Sequence, residues 1–228
     1  FKGRDSTGGR GMRLGGDDQV ISMSIVNHVE VTTDEREAYL RYATQKRRQA
    51  NGEGTGEDAG LTPESAATAE ISAERLRELE AHEELLLTVG DDGFGKLTPA
   101  YEYRITSRGT QGITAMDLAR SKASAQMIAA FPVDPNDQVM VVTDGGQLIR
   151  CPVQGIRTAG RNTRGVRLLR VAEGERVVSV AHLGEQDIEE AAEAADVGES
   201  GGQDASEATP TPDAPGGDGD VPDPDTDN

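Results

Sequence analysis

The chain has 228 residues, a formal net charge of −18, one Cys, no Trp, three Phe and four Tyr. That excludes a disulfide-stapled scaffold and argues against an aromatic platform that stacks single-stranded bases. No apolar run approaches the length of a membrane span, and the sequence opens on Phe1 without a signal-peptide pattern, so we expect a piece of a longer cytoplasmic protein with no membrane partner.

In chain order, residues 1–31 hold Arg4-Asp5-Ser6-Thr7-Gly8, a turn at Gly15-Gly16-Asp17-Asp18 and a β-branched run, Val20 to Val26, that predicts a strand. Residues 32–83 change character. Thr32 with Glu35 forms a capping box, Tyr39, Tyr42 and Ala43 share a helical face, and Lys46-Arg47-Arg48 closes the helix as a solvated basic end, contact with DNA being the alternative. A Gly/Glu/Asp-rich linker follows over Asn51–Gly60. Thr62-Pro63 then opens a second helical stretch with a short Leu76/Leu79 stripe. Residues 84–137 resume strand patterning, with Leu85 to Val89, a turn at Asp91-Asp92-Gly93 and a closing strand over Ala129–Val133. Residues 138–183 repeat it, with Val139 to Val142, a turn at Asp144-Gly145-Gly146 and a second run around Leu148-Ile149 that places Cys151 as a small strand residue. Residues 184–228 carry a helical turn or two at Glu189–Ala195. The remainder, rich in Gly, Pro, Ser, Thr and Asp, is expected to be a disordered acidic tail.

A repeat ties these stretches together. Arg-x-Ser/Thr-x-Gly occurs at Arg4–Gly8, Arg108–Gly112 and Arg161–Gly165. Gly93–Gly112 slides onto Gly146–Gly165 without a gap, an offset of 53 residues, matching Pro99 to Pro152, Arg104 to Arg157 and Arg108 to Arg161. Arg4–Met23 slides onto Arg161–Val180, matching Arg10 to Arg167 and Arg13 to Arg170. A period of roughly 40–50 residues with several short strands marks propeller blades, an open array of β-hairpins being the alternative. The chain therefore reads as all-β: the last part of a blade (1–31), a helical insertion (32–83), two blades (84–137 and 138–183) and the tail.

Charge is unevenly placed. Residues 184–228 hold fifteen Asp/Glu and no Lys/Arg, whereas Glu84–Leu183 holds twelve Lys/Arg against ten Asp/Glu. A basic body joined to an acidic tail points toward nucleic acid, the tail being expected either to compete with DNA for the body or to confer solubility alone. Each repeated Arg offers a planar fork suited to phosphate, and an array of such loops can follow a curving duplex backbone. The competing reading pairs each Arg with an Asp of the next blade. No phosphate-binding Gly-x4-Gly-Lys loop, metal-ligand cluster or Ser/His/Asp arrangement is present in the sequence.

Val141-Val142-Thr143-Asp144-Gly145-Gly146-Gln147-Leu148-Ile149-Arg150 followed by Gly160–Val166, and Gly93-Phe94-Gly95-Lys96 followed by Tyr101-Glu102-Tyr103-Arg104, resemble repeats of the DNA gyrase A C-terminal domain family. The resemblance covers about 1–31 and 85–183. It implies part of a six-bladed propeller (a β-pinwheel) whose neighbouring blades exchange a strand, and which wraps duplex DNA so that a type IIA topoisomerase introduces negative supercoils. It implies DNA contacts at Lys2, Arg4, Arg10, Lys96, Arg104, Arg108, Arg150, Arg157, Arg161, Arg164 and Arg167. It also implies the gyrase B subunit as partner in an A2B2 assembly, with ATP and Mg held by that partner and no cofactor or catalytic residue here. The family's Gln-Arg-Arg-Gly-Gly-Lys-Gly box is absent, with Arg108-Gly109-Thr110-Gln111-Gly112 only a degenerate relative. The alternatives are the paralogous A subunit of topoisomerase IV and a propeller that serves as a protein-interaction scaffold.

Overall fold

The computed structural model describes residues 3–52, 61–119 and 125–185. Lys2, most of the 51–60 linker, the 189–195 helical turn and the acidic tail lie outside them. Two antiparallel sheets organise the chain after the insertion. One has the strand order β3-β1-β2-β6, built from β1 (Leu85–Gly90), β2 (Phe94–Pro99), β3 (Met127–Val133) and the two-residue β6 (Val166–Arg167). The other has the order β5-β4-β7, from β4 (Gln138–Thr143), β5 (Leu148–Pro152) and β7 (Val177–Leu183).

The repeat seen in the sequence is a repeat of backbone. Each sheet opens on a hairpin whose second strand runs into a 3₁₀ turn, η1 (Ala100–Glu102) or η2 (Val153–Gly155), and these turns are 53 residues apart. Both first strands carry a register shift against their closing strands, between Val89 and Gly90 and between Val142 and Thr143, again at the same offset. Such a shift bends the strand and sharpens its twist. Leu87 pairs with Leu97 on one side and Phe131 on the other. The sheets meet through one core of Leu87, Val89, Leu97, Ala129, Val133, Val139, Val153 and Ile156. Burying each large aliphatic side chain stabilises the fold by about 1.5–3 kcal/mol.

β6 belongs to the later repeat in sequence but to the earlier sheet in space. Phe94 pairs with Arg167 and Gly95 with Val166. β6 is thus the edge strand farthest from β3, and β3 is the strand that touches β7 of the second sheet.

Residues 20–26 depart from the strand expected of them. β3 and β7 each pair with the first strand of a hairpin, and nothing among the described residues offers such a partner to 20–26. The segment is extended but unpaired, with Met23 and Ile25 nearly fully exposed. Its Ser22 hydroxyl donates to the Ala130 carbonyl of β3 at 3.0 Å.

The insertion is helical as its capping signals predict. α1 (Thr33–Ala50) starts at the Thr32/Glu35 capping box. The Thr62-Pro63 signal yields only the four-residue α2 (Pro63–Ala66), and a new cap at Ser72 starts α3 (Ala73–Ala81). Tyr39, Tyr42, Leu76 and Leu79 form a separate core. The insertion docks on the first sheet through Tyr101 of η1, whose ring meets Tyr39 edge-on at 5.1 Å and whose hydroxyl donates to the Leu79 carbonyl at 3.1 Å. Lys46 and Arg47 of the basic helix end are ion-paired with Glu80 and Glu83. No helix among the described residues is long and apolar enough to cross a membrane.

Candidate nucleic-acid interface

The three Arg-x-Ser/Thr-x-Gly copies fold into one turn. In each, the hydroxyl donates to the carbonyl three residues earlier: Ser6 to Gly3 at 2.9 Å, Thr110 to Ser107 at 3.0 Å and Thr163 to Gly160 at 2.8 Å. In each, the closing glycine takes a left-handed conformation, with φ of 76° at Gly8, 81° at Gly112 and 90° at Gly165. That region costs any residue with a Cβ about 1–2 kcal/mol. Ser/Thr and Gly are therefore explained by the turn itself, and Arg is the member left for another purpose.

The turns are also linked head to tail. The Arg13 amide donates to the Thr110 carbonyl at 2.9 Å, and the Asp117 amide donates to the Thr163 carbonyl at 3.1 Å. Arg13 and Asp117 are equivalent positions, each nine residues beyond the Arg of its own motif. The same bond thus joins each repeat to the next among the described residues, linking the three arginine-bearing turns. A further tie, Arg161 Nη1 to the Thr114 carbonyl at 2.9 Å, reinforces the second junction.

Arg4, Arg10, Arg104, Arg108, Arg150 and Arg167 are exposed, and none of them is ion-paired among the described residues. Arg157 is exposed as well. The first junction brings Arg10 beside the Arg108 turn, since a Cβ on Gly109 would lie 3.7 Å from the Arg10 carbonyl. Arg161 is half-buried, its Nη1 shared between Thr114 and the Asn162 side chain at 3.0 Å. Arg164 pairs with Asp92 at 2.7 Å and lies over the Phe94 ring at 3.6 Å from its centre, the inter-blade pairing weighed as the competing reading.

Lys96 is a correction. The resemblance implies a DNA contact on the surface here, but the side chain is fully buried in β2. Its ammonium donates to the carbonyls of Gly160, Arg161 and Thr163 at 2.7, 2.6 and 2.8 Å. Burial pushes this ammonium down to about 8, with Glu102 pulling it back up, Arg161 pushing it further down and Asp117 pulling up.

Arg170 is an arginine that the sequence pattern did not assign to the interface. With Arg164, Arg167, Asp91, Asp92 and Phe94 it lines a cleft of about 430 Å³ at the outer edge of the first sheet. Its match to Arg13 in the repeat was the available signal. The turn aspartates serve the backbone. Asp91 Oδ1 accepts from the Gln126 amide at 3.0 Å and Asp144 Oδ1 from the Arg176 amide at 2.9 Å. Cys151 is half-buried on β5, where burial pushes its thiol up. No group of three or more His, Cys, Asp or Glu among the described residues could hold a metal ion.

The DNA gyrase C-terminal domain family, a β-propeller, matches residues 1–27, 84–120 and 137–183. This chain belongs to that family. The DNA gyrase A subunit of Granulibacter bethesdensis is 49% identical over 185 residues, 79% of this chain and 20% of that protein. The DNA gyrase A subunit of Rickettsia bellii is 41% identical over 197 residues, 85% of this chain and 21% of that protein. The chain thus spans about a fifth of the length of these curated relatives. A solved structure of a DNA gyrase A C-terminal domain overlaps 44% of this chain and 34% of its own at 24% identity, with a TM-score of 0.41. The gyrase family match skips residues 28–83, where the helical insertion stands.

Proposed function

We propose that this chain is the C-terminal portion of a DNA gyrase A subunit, holding duplex DNA along its outer edge. The observation that carries this reading is the chain of equivalent turns, joined by the Arg13–Thr110 and Asp117–Thr163 hydrogen bonds, that presents an arginine at each step. Phosphates recur along a duplex, and a row of guanidinium groups on a curved edge meets them repeatedly as the duplex bends. Such contacts read charge and deformability, and base identity contributes little. Arg4, Arg10, Arg104, Arg108, Arg150, Arg157 and Arg167 are assigned to this surface, with Arg161, Arg164 and Arg170 at its inner margin. Lys96 is removed from it.

In this reading the two sheets and residues 1–31 are consecutive sectors of a six-bladed ring, and 184–228 is an acidic tail. The parent is a cytoplasmic type IIA topoisomerase that works as an A2B2 assembly. The gyrase B subunit contributes ATP and Mg, and the wrap built here biases strand passage toward negative supercoils. The test is salt dependence. In the full-length protein, Arg108→Ala lowers the slope of log affinity against log salt by about 0.9 for each phosphate no longer engaged, to a similar extent on unrelated sequences. An unchanged slope with lowered thermal stability would make Arg108 structural and overturn the assignment.

A further inference from the structure

Lys96 does more than fill the core. An ammonium is strongly hydrated, and burying it without replacement partners is costly. Here its three protons meet three carbonyls of a single turn, Gly160, Arg161 and Thr163, at 2.6–2.8 Å. Lysine has three donors and no acceptor, so the match is complete. The three carbonyls point at one another's charge, and the cation between them relieves that repulsion. The turn belongs to the later repeat and Lys96 to β2 of the earlier sheet, so the contact fixes where the exchanged strand begins. Gly165 completes the seat, since a Cβ there would lie 2.3 Å from the Gly95 carbonyl.

We propose that Lys96 is a positioning residue for DNA binding, its ammonium setting the backbone of the turn that carries Arg161; this rests on the DNA reading above. The equivalent turn, Ser107–Gly112, receives no bond from Lys96. Arg108, on a turn that Lys96 does not touch, serves as an internal control. The charged groups facing Lys96 are Glu102 from η1, Asp117 from the segment before β3, and Arg161 from the turn itself. When the amine loses its proton it keeps two donors, and one of the three carbonyls then faces a lone pair. With the ammonium held at about 8, that change falls between pH 7 and 9.

The experiment uses the full-length protein. Duplex affinity and amide exchange of residues 160–165 are measured at pH 7 and pH 9 for wild type, Lys96→Met, Lys96→Arg and Arg108→Ala. Wild type is expected to bind about tenfold more weakly at pH 9, the loss of one charged hydrogen bond. Lys96→Met is expected to be about tenfold weaker at pH 7 and flat with pH, with faster exchange at 160–165. Lys96→Arg keeps its charge throughout and is also flat. Arg108→Ala binds more weakly but keeps the wild-type pH dependence. Wild-type affinity that does not change between pH 7 and 9 overturns the proposal without any variant. A Lys96→Met protein that exchanges faster yet binds as wild type makes the lysine merely structural and overturns it too. A wild type without salt-dependent duplex binding overturns the DNA reading and the positioning role together.

Discussion

Gly165→Ala separates the two demands placed on the closing glycine of the repeated turn. Gly112 and Gly165 are equivalent residues with φ of 81° and 90°, so an alanine at either meets the left-handed penalty of about 1–2 kcal/mol. Their surroundings differ. A Cβ at Gly112 finds nothing nearer than the Met12 side chain at 3.7 Å, an ordinary contact. A Cβ at Gly165 meets the Gly95 carbonyl oxygen at 2.3 Å and its carbon at 2.7 Å, both backbone atoms held in the β2–β6 pairing. Relieving such an overlap costs about 1–3 kcal/mol more. Gly112→Ala is therefore expected to lower stability by about 1–2 kcal/mol, and Gly165→Ala by about 2–5 kcal/mol. At about 2–4 °C per kcal/mol for a chain of this size, Tm falls by about 2–8 °C and about 4–20 °C respectively. Calorimetry of the two variants beside wild type reads the difference directly. Equal Tm losses would refute the claim that the later repeat is seated on the backbone of the earlier sheet.

Arg164→Ala removes the ion pair to Asp92, whose side chain is only 8% exposed, and takes away the nearer of the two cations over Phe94. A loss of about 1–3 kcal/mol in urea unfolding is expected, with Arg164→Lys recovering only part because an ammonium does not stack as a planar guanidinium does. Burial pulls the Asp137 carboxyl up, but the Asp134 amide and His182 outweigh it and hold the group below its ordinary range. A carboxyl lowered in the folded state contributes stability above its unfolded pKa and loses it as pH falls through the folded value. Asp137→Asn should therefore flatten the decline of Tm in the acid range below about pH 4, and an unchanged acid limb would contradict the pairing. Replacing Asp34–Glu80 with a Gly/Ser linker in the full-length protein is expected to leave unfolding cooperative, at a lower Tm because Tyr101 loses Tyr39. Loss of cooperativity would show that the helices complete the main core. Deleting 184–228 is expected to tighten duplex binding at low salt, with the difference closing as salt rises; identical curves would leave the tail without influence on DNA.

The legible parts of the fold were those written in local pattern. Alternating or β-branched runs marked β1, β3, β4 and β5, and Thr32, Glu35 and Pro63 marked helix starts. β2 was hidden because Gly95 and Pro99 weaken a strand pattern, and β6 because two residues carry no periodicity at all. Val20–Val26 has the composition of a strand but no hydrogen-bonding neighbour, which no composition reveals. The same divide holds at the site. The repeated motif announced the turns and their exposed arginines. It could not announce that Lys96 is turned inward onto three carbonyls, or that Arg164 meets Asp92, because those partners lie 64 to 72 residues away in sequence.

The loan of β6 to the earlier sheet also sets an order of events during synthesis. β3 closes its hairpin once residue 133 is made, yet the edge of that sheet stays open until Val166 and Arg167 have emerged. At roughly 5–20 residues per second, the 34 residues between them impose a delay of about 2–7 s during which β2 presents an unpaired edge. The unit that becomes resistant to proteolysis on the ribosome is then one repeat plus about the first two thirds of the next. The first sheet is finished by the repeat that follows it, so its protection comes one step behind its own sequence.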